Sequence, residues 1–372
     1  MSRPRILLIQ VLLVGAAAVG ALRAHRWAAP ASFAVPSVAR TNEPPLLASE
    51  LLPSSGTNFV HAATLAELPN GDLLAAWYGG TDEIDPDVNI FVSRQDRRTG
   101  RWSAPRAIEN GPRTHVKSVG NPVLVVDRDG VRLFYVGVIL GGWSGSTIFV
   151  KRSPDGEHWS TPRRIATSPL LNLGMLVRSP AAAYNDGTIG LPIYHELRRK
   201  WSALARVDGQ GRVVDEVRMA DNPFIQPWVV PTSARDAIAF FRWSARAPGF
   251  VNSATTADGG VRWSPLASTG LEHRDSAVAA ARLDDGSLIA IFNNSPGDRR
   301  KLAIVRKGGR WSKPFQIEND PRPAFDGPTR REYSYPFLIA TRDGRYHVVY
   351  TWQRTKIKHV VFNAPWVRAA LP

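Results

Sequence analysis

The chain has 372 residues, no cysteine, 44% hydrophobic residues and a formal net charge of +15. The lack of cysteine excludes disulfides, thiolate metal sites, a thiol nucleophile and a lipidated cysteine anchor together. The apolar fraction and the 12 tryptophans exclude a disordered chain. The charge either favours acidic partners (acidic glycans, lipopolysaccharide, anionic membrane, nucleic acid) or reflects an arginine-rich proteome.

At the N-terminus, Arg3 and Arg5 precede an apolar run, residues 6–22, broken only by Gln10 and followed by Arg23 and Arg26. A basic segment followed by an apolar one reads as a secretory signal. The run is also at the short limit for a spanning helix, and the trailing arginines leave an uncleaved anchor open. Either form predicts an exported protein, periplasmic or extracellular, with possible membrane association through residues 6–22. Residues 1–29 are thus expected as signal peptide or inner-membrane anchor. Residues 30–45 read as a Pro/Ala/Ser linker, and 46–372 as one folded domain.

Two markers recur through that domain. One is a Trp-Ser corner at Trp102, Trp159, Trp263 and Trp311, with spacings of 57, 104 and 48 residues. The double spacing predicts a degenerate copy near 210, where Asp208-Gly209-Gln210-Gly211 stands without a tryptophan. The other is a tight turn before an apolar run: Asn70-Gly71, Asp129-Gly130, Asp186-Gly187, Asp285-Gly286 and Asp343-Gly344, with Arg235-Asp236 filling the gap. Asx-Gly between apolar runs is a strong hairpin signal. The runs are 73–78, 131–138, 189–194, 237–241, 288–292 and 346–352. Six such units without helical periodicity predict an all-β, six-bladed propeller of four-stranded blades. Residues 357–362 would be the third strand of blade six, and 46–52 would supply its fourth and close the ring.

Two corners follow a second turn, Thr256-Ala-Asp258-Gly-Gly260-Val-Arg-Trp263 and, one residue shorter, Ser153-Pro-Asp155-Gly156-Glu-His-Trp159. The aspartate suits turn N–H groups, the glycine a positive φ and the tryptophan a position between sheets. These residues are read as structural. The turns resemble the Asp boxes of the sialidase (neuraminidase) superfamily, in its BNR-repeat branch, and the resemblance spans residues 59–362.

The repeat phase alone places residues on faces. The start of strand one and the end of strand two of every blade share one face, opposite the Asx-Gly turns. Counting back from each turn gives His61, Asn121, Arg178, Gln226, Asp275 and Tyr333. Reading past strand two gives Asp82, Glu83, Asp85 and Asp87, then Trp143, Glu196, Arg242, Arg299 with Arg300, and Arg354. Arginines at strand ends are commonly solvated, and the 82–87 acids would also suit a solvated loop. Cations phased to one rim from three successive blades, facing carboxylates, point instead to an acidic ligand and acid–base chemistry.

The family resemblance adds roles. Phe241-Arg242 and Arg299-Arg300-Lys301-Leu302 resemble the second and third members of an arginine trio that clamps a substrate carboxylate. Tyr333-Ser334 resembles the nucleophile, Tyr being a recognised exception among glycosidases. Asp87 and Asp85 are the implied acid/base candidates, with Glu83 beside them. Two positions depart from the pattern: His61 stands where the first arginine belongs, and Gln226 where a carboxylate should activate the tyrosine, with Glu196 or Glu332 as substitutes. The motifs Tyr333-Ser334-Tyr335-Pro336 and Tyr350-Thr351-Trp352-Gln353-Arg354 are most similar to sialidase-like BNR proteins. The expectation is an exo-acting hydrolase of a terminal acidic sugar: sialic, another ulosonic or a uronic acid. The acidic glycan would be held by Arg242, Arg299, His61, Gln226, Asp275, Arg178 and Arg354. A non-catalytic glycan-binding propeller and a lyase on acidic polysaccharide stay open. No His-Glu-x-x-His and no glycine-rich phosphate loop occurs, so neither metal nor cofactor is expected. The cations lack any nucleic-acid-binding context, so no nucleic-acid partner is expected.

Overall fold

The computed structural model describes residues 3–24, 31–168, 172–245, 249–273, 275–295, 297–321 and 331–372. Between an N-terminal helix (Arg3–Ala24) and a C-terminal one (Ala364–Ala370) the chain is built of strands, apart from two single helical turns. They form six antiparallel sheets around one axis, the six-bladed propeller that the turn spacing predicts. Blade one is Phe59–Glu67, Leu73–Gly80, Asn89–Gln95 and Arg106–Asn110. The innermost strands of blades two to six are Ser118–Asp127, Met175–Val177 with Ala182–Ala183, Phe224–Pro231, Ala279–Arg282 and Tyr333–Ala340. Each second strand starts at or within two residues of its Asx-Gly or Arg-Asp turn. The degenerate Asp208 turn joins strands three and four of blade three.

Leu47–Leu51 pairs antiparallel with Lys356–Asn363, Leu47 opposite Phe362, so the N-terminal strand closes blade six as expected. Glu50 on that strand accepts from His359, from Trp102 Nε1 at 2.9 Å and from Gln95 Nε2 at 3.0 Å, tying the closure to blade one. Neighbouring blades are joined through apolar side chains that also spend their polar atoms. Trp228 Nε1 donates to Ala280 O at 2.7 Å while its ring meets Phe337 edge-on at 5.3 Å. Tyr346 Oη donates to Arg282 O at 3.1 Å.

The segment expected as a free linker is instead docked where it is described. Phe33 stacks on Tyr184 at 4.8 Å, its N–H donates to Ala234 O, and Ala34 N–H donates to Ala183 O. This strap crosses the face of the Asx-Gly turns towards blade six, where Arg345 pairs with Glu43 at 3.2 Å. Gly259, the extra residue in the longer Asp box, explains that length. A Cβ there would sit 1.8 Å from Ala31 O, so the turn needs glycine for the strap to pass. Among the described residues, no helix is long and apolar enough to cross a membrane. Arg26 and the rest of residues 25–30 lie outside the described residues.

Candidate functional site

The site begins with a backbone irregularity repeated around the ring. In four innermost strands the register slips at one level: between His61 and Thr64, Gly120 and Val123, Ile225 and Trp228, and Ser334 and Phe337. The equivalent residues Ala62, Asn121, Gln226 and Tyr335 take φ of 50°, 45°, 51° and 57°. Such a β-bulge re-aims a side chain that strict alternation would send elsewhere. Proline follows in three of the four (Pro122, Pro227, Pro336), where a bulge leaves no ladder bond for it to break. Backbone groups freed by the slip find partners across blades: Ala62 N–H donates to Thr351 Oγ1 at 3.0 Å and Leu124 N–H to Thr64 Oγ1 at 3.1 Å.

Asn121, Gln226 and Tyr335 therefore project into a bowl of about 310 Å³ on the face opposite the Asx-Gly turns. That volume suits one small ligand. A larger concavity, about 470 Å³, opens on the turn face, but its lining is chiefly small and aliphatic, as at Leu65, Val125, Ala181 and Ile339. The bowl carries the convergent polar groups and is the candidate site.

Eight of the twelve residues expected at the site line the bowl: His61, Glu83, Glu196, Gln226, Arg242, Asp275, Arg299 and Arg354. Four do not. Tyr333 is buried, its ring 6.4 Å from Trp352 and its hydroxyl 3.4 Å from Gln353 Nε2. The bulge puts Tyr335 in the bowl in its place. Arg178 is 1% exposed and lies beneath Tyr335, out of reach of a ligand in the bowl. Asp87 is turned into its own loop, accepting from Thr81 N–H at 3.0 Å and Thr81 Oγ1 at 2.8 Å. Asp85 shapes the same loop, its carbonyl accepting from Ser118 Oγ at 2.9 Å. With Asn121, Trp143 and Leu176, the residues Tyr194, Lys200, Ser244 and Tyr335 complete the lining. Of these, Tyr335 had a usable signal in the sequence: Tyr335-Pro336 repeats the phase of Asn121-Pro122 and Gln226-Pro227.

The bowl's arginines are held in a cross-blade lattice. Arg242 Nε meets Asp275 at 2.7 Å while its Nη1 donates to Gln226 Oε1 at 3.2 Å and to Tyr335 Oη at 3.0 Å. Burial alone would lower the Arg242 guanidinium, but the Tyr335 hydroxyl and the Asp275 carboxylate outweigh it and hold the cation firmly charged. Arg299 Nη1 lies 3.6 Å from Glu332, and Arg354 bridges Glu83 and Glu332. His61 is buried. Burial first, then Arg354, Arg299, Arg178 and Arg242, pull it well below the ordinary histidine range. Its 3.9 Å approach to Glu332 is thus the contact of a neutral ring, not an ion pair.

The carboxylates divide by occupation. Glu83 accepts from Tyr78 Oη at 3.2 Å and Trp143 Nε1 at 3.1 Å besides pairing with Arg354. Asp275 and Glu332 neutralise Arg242 and Arg299. Glu196 alone among the bowl's carboxylates has no side-chain partner among the described residues, so it is free to exchange a proton with a ligand. The tyrosines divide likewise. Burial pushes Tyr78 and Tyr194 well above the ordinary phenol range, and their hydroxyls are engaged by Glu83 and by Gln226 and Asn121. Tyr335 is half-exposed and rests on an arginine.

Fold and site together define a sialidase-like propeller with a polar, arginine-lined bowl. Residues 71–348 match the family described as BNR repeat-like domain, and the chain belongs to that family. No curated protein matches it significantly in sequence. It is similar in structure to the Hadza microbial sialidase Hz136 (16% identity, TM-score 0.67, covering 85% of this chain and 67% of that one). It is also similar to the NanB sialidase of Streptococcus pneumoniae (13% identity, TM-score 0.62, 88% and 71% covered). A Penicillium chrysogenum α-L-arabinanase complexed with arabinobiose shares the fold as well (14% identity, TM-score 0.59, 86% and 99% covered).

Proposed function

We propose that this chain is an exported exo-acting glycoside hydrolase that removes a terminal acidic sugar from a glycan. The observation that carries this reading is Tyr335: a half-exposed phenol on an arginine, at the centre of a bowl sized for one small ligand. Export is supported by the basic, apolar, basic order of the N-terminus.

The acidic group of the sugar would seat on Arg242, Arg299 and Lys200, guanidinium being suited to bidentate carboxylate contact. A phenol, unlike a carboxylate, carries no permanent charge, so the sugar's negative group can seat beside it without repulsion before the proton leaves. In the first step the Tyr335 hydroxyl gives its proton to water, its oxygen bonds to the anomeric carbon, and the bond to the leaving oxygen breaks with its electron pair. Glu196 supplies the proton that the leaving oxygen takes. In the second step water displaces Tyr335 with Glu196 as base, giving net retention. Glu83, saturated by Arg354, Tyr78 and Trp143, orients rather than exchanges protons.

The test is turnover of aryl glycosides of sialic, other ulosonic and uronic acids by the purified protein, with Tyr335→Phe and Tyr333→Phe in parallel. Hydrolysis lost in the first variant and kept in the second supports the reading. An unsaturated product would replace it with a lyase, and glycan binding without turnover would replace it with a binding module.

A further inference from the structure

Among the described residues, Arg178 is the one guanidinium at the axis whose charge no carboxylate balances. Its Nη2 donates to the Tyr335 carbonyl at 2.6 Å, but Nε and Nη1 have no hydrogen-bond partner. No carboxylate is paired with it among the described residues, and only 1% of it is exposed. A buried, unpaired cation is costly. The other guanidiniums of the floor are each matched: Arg242 by Asp275, Arg299 by Glu332, Arg354 by Glu83 and Glu332. A ligand in the bowl cannot supply the missing anion either, because Tyr335 lies between. The guanidinium carbon sits 5.2 Å from the centroid of the Tyr335 ring and 5.5 Å from that of Phe337.

We infer that Arg178 is a positioning residue whose uncompensated charge is the counter-ion of the Tyr335 phenolate, doing electrostatically what a carboxylate base would do by taking the proton. The inference rests on the reading of Tyr335 as nucleophile. Gln226 cannot accept a phenolic proton, and its amide oxygen is already occupied by Arg242. Among the described residues, the groups that face Tyr335 are Arg178 behind the ring, Arg242 at the hydroxyl, Arg299 with its guanidinium carbon 5.6 Å from the ring centroid, the edge of neutral His61 at 4.5 Å, and the buried, protonated hydroxyls of Tyr78 and Tyr194. None of these is an anion. The proton leaves to water, and the negative oxygen remains in a pocket whose balance is short of one negative charge. The same side chain fixes the backbone: its bond to the Tyr335 carbonyl holds a residue whose φ is 57°, a region non-glycine residues rarely occupy.

Acetylation by N-acetylimidazole reports this without any substrate. The phenolate attacks the acyl carbon, the aryl ester forms, imidazole leaves, and peptide mass spectrometry reads the modified tyrosine. At neutral pH Tyr335 is expected to react faster than N-acetyltyrosinamide, despite being half-buried. Arg178→Met should slow its labelling roughly tenfold or more. Arg178→Lys, which keeps the charge, should stay within about threefold of the parent. A role in packing alone has the opposite signature, since loosening the ring exposes it and speeds labelling. Unchanged or faster labelling in Arg178→Met therefore overturns the inference. If that variant does not fold, the parent decides alone: a Tyr335 slower than the free amide overturns it. Slowed labelling with no glycosidase activity would sink the functional reading and leave this one standing.

Discussion

The two faces of the propeller use the same side chains in opposite ways. On the turn face, the Asp-box carboxylates serve the loop they belong to. Asp258 accepts from Val261 and Arg262 N–H at 3.0 and 2.9 Å, and Asp155 from Glu157 and His158 N–H at 2.8 and 2.9 Å. On the bowl face, the carboxylates that hold the arginines serve other segments. Asp275 holds Arg242, Glu332 holds Arg299 and Arg354, and Glu83 holds Arg354 from the far end of the chain. A carboxylate tied to its own turn needs no neighbour to fold correctly. One tied across blades is correct only after the ring has closed. Stability should therefore depend mildly on each turn aspartate, and chemistry should depend steeply on the bowl.

The largest expected effect is at Tyr335. Tyr335→Phe should lower kcat/KM on an acidic glycoside on the order of 10³-fold or more, with little change in melting temperature. Tyr333→Phe alters a buried side chain outside the bowl and should stay within about threefold in kcat/KM. Glu196→Gln should fall between, on the order of 10²- to 10³-fold, with the deficit smallest for substrates whose leaving group needs no proton. If Tyr333→Phe is the inactive variant, the bulge register is wrong and the contrast between the faces loses its main support.

That contrast also explains what the sequence made legible. Blade count, strand positions and ring closure follow from Asx-Gly turns and Trp-Ser corners, whose causes lie within a few residues. The face of the site followed from the same phase, which is why eight of the expected residues line the bowl. Strict alternation turns Tyr333 towards the bowl and has no place for the bulge that puts Tyr335 there, although the proline phase marks it. Residue types alone do not show that Thr81 occupies the oxygens of Asp87. The strap reads as a linker because its partner for Phe33, Tyr184, lies more than a hundred residues away. Of these partners only Tyr184 is distant in sequence; the bulge and the Thr81–Asp87 bonds are local geometry that residue types alone do not encode.

Ring closure offers a test of intermediate size. His347 Nδ1 lies 2.9 Å from His359 Nε2, and His359 Nδ1 lies 3.1 Å from Glu50 on the closing strand. Burial, then the charge of His359, pulls His347 down to about 3. A histidine depressed in the folded state contributes stability above its unfolded value of about 6.5 and loses it as pH falls towards the folded one. Between pH 7.5 and pH 5 denaturant unfolding should lose about 2 kcal/mol from this residue. His347→Gln should flatten that part of the slope. Burial also depresses His273, to about 4, and His61, so a shallower slope should persist in the variant. A variant as steep as the parent would show that closure does not depend on a neutral His347.

The smallest effect distinguishes the faces most sharply. Asp258→Ala removes two N–H acceptors from a turn at the surface, where water can replace them in part. The expected loss is about 1 kcal/mol, seen as a melting temperature lower by a few degrees. The strap crosses this turn at Gly259, so some of the loss should reach Phe33 and show as faster proteolysis before Val35. Nothing should reach the bowl. Its lattice is anchored through Asp275, Glu332 and Glu83, none of which contacts the Asp box, and kcat/KM should match the parent within about twofold. A tenfold fall in activity at unchanged folding would mean that a turn aspartate reaches across the disc. The division between locally and globally satisfied carboxylates would then have to be given up.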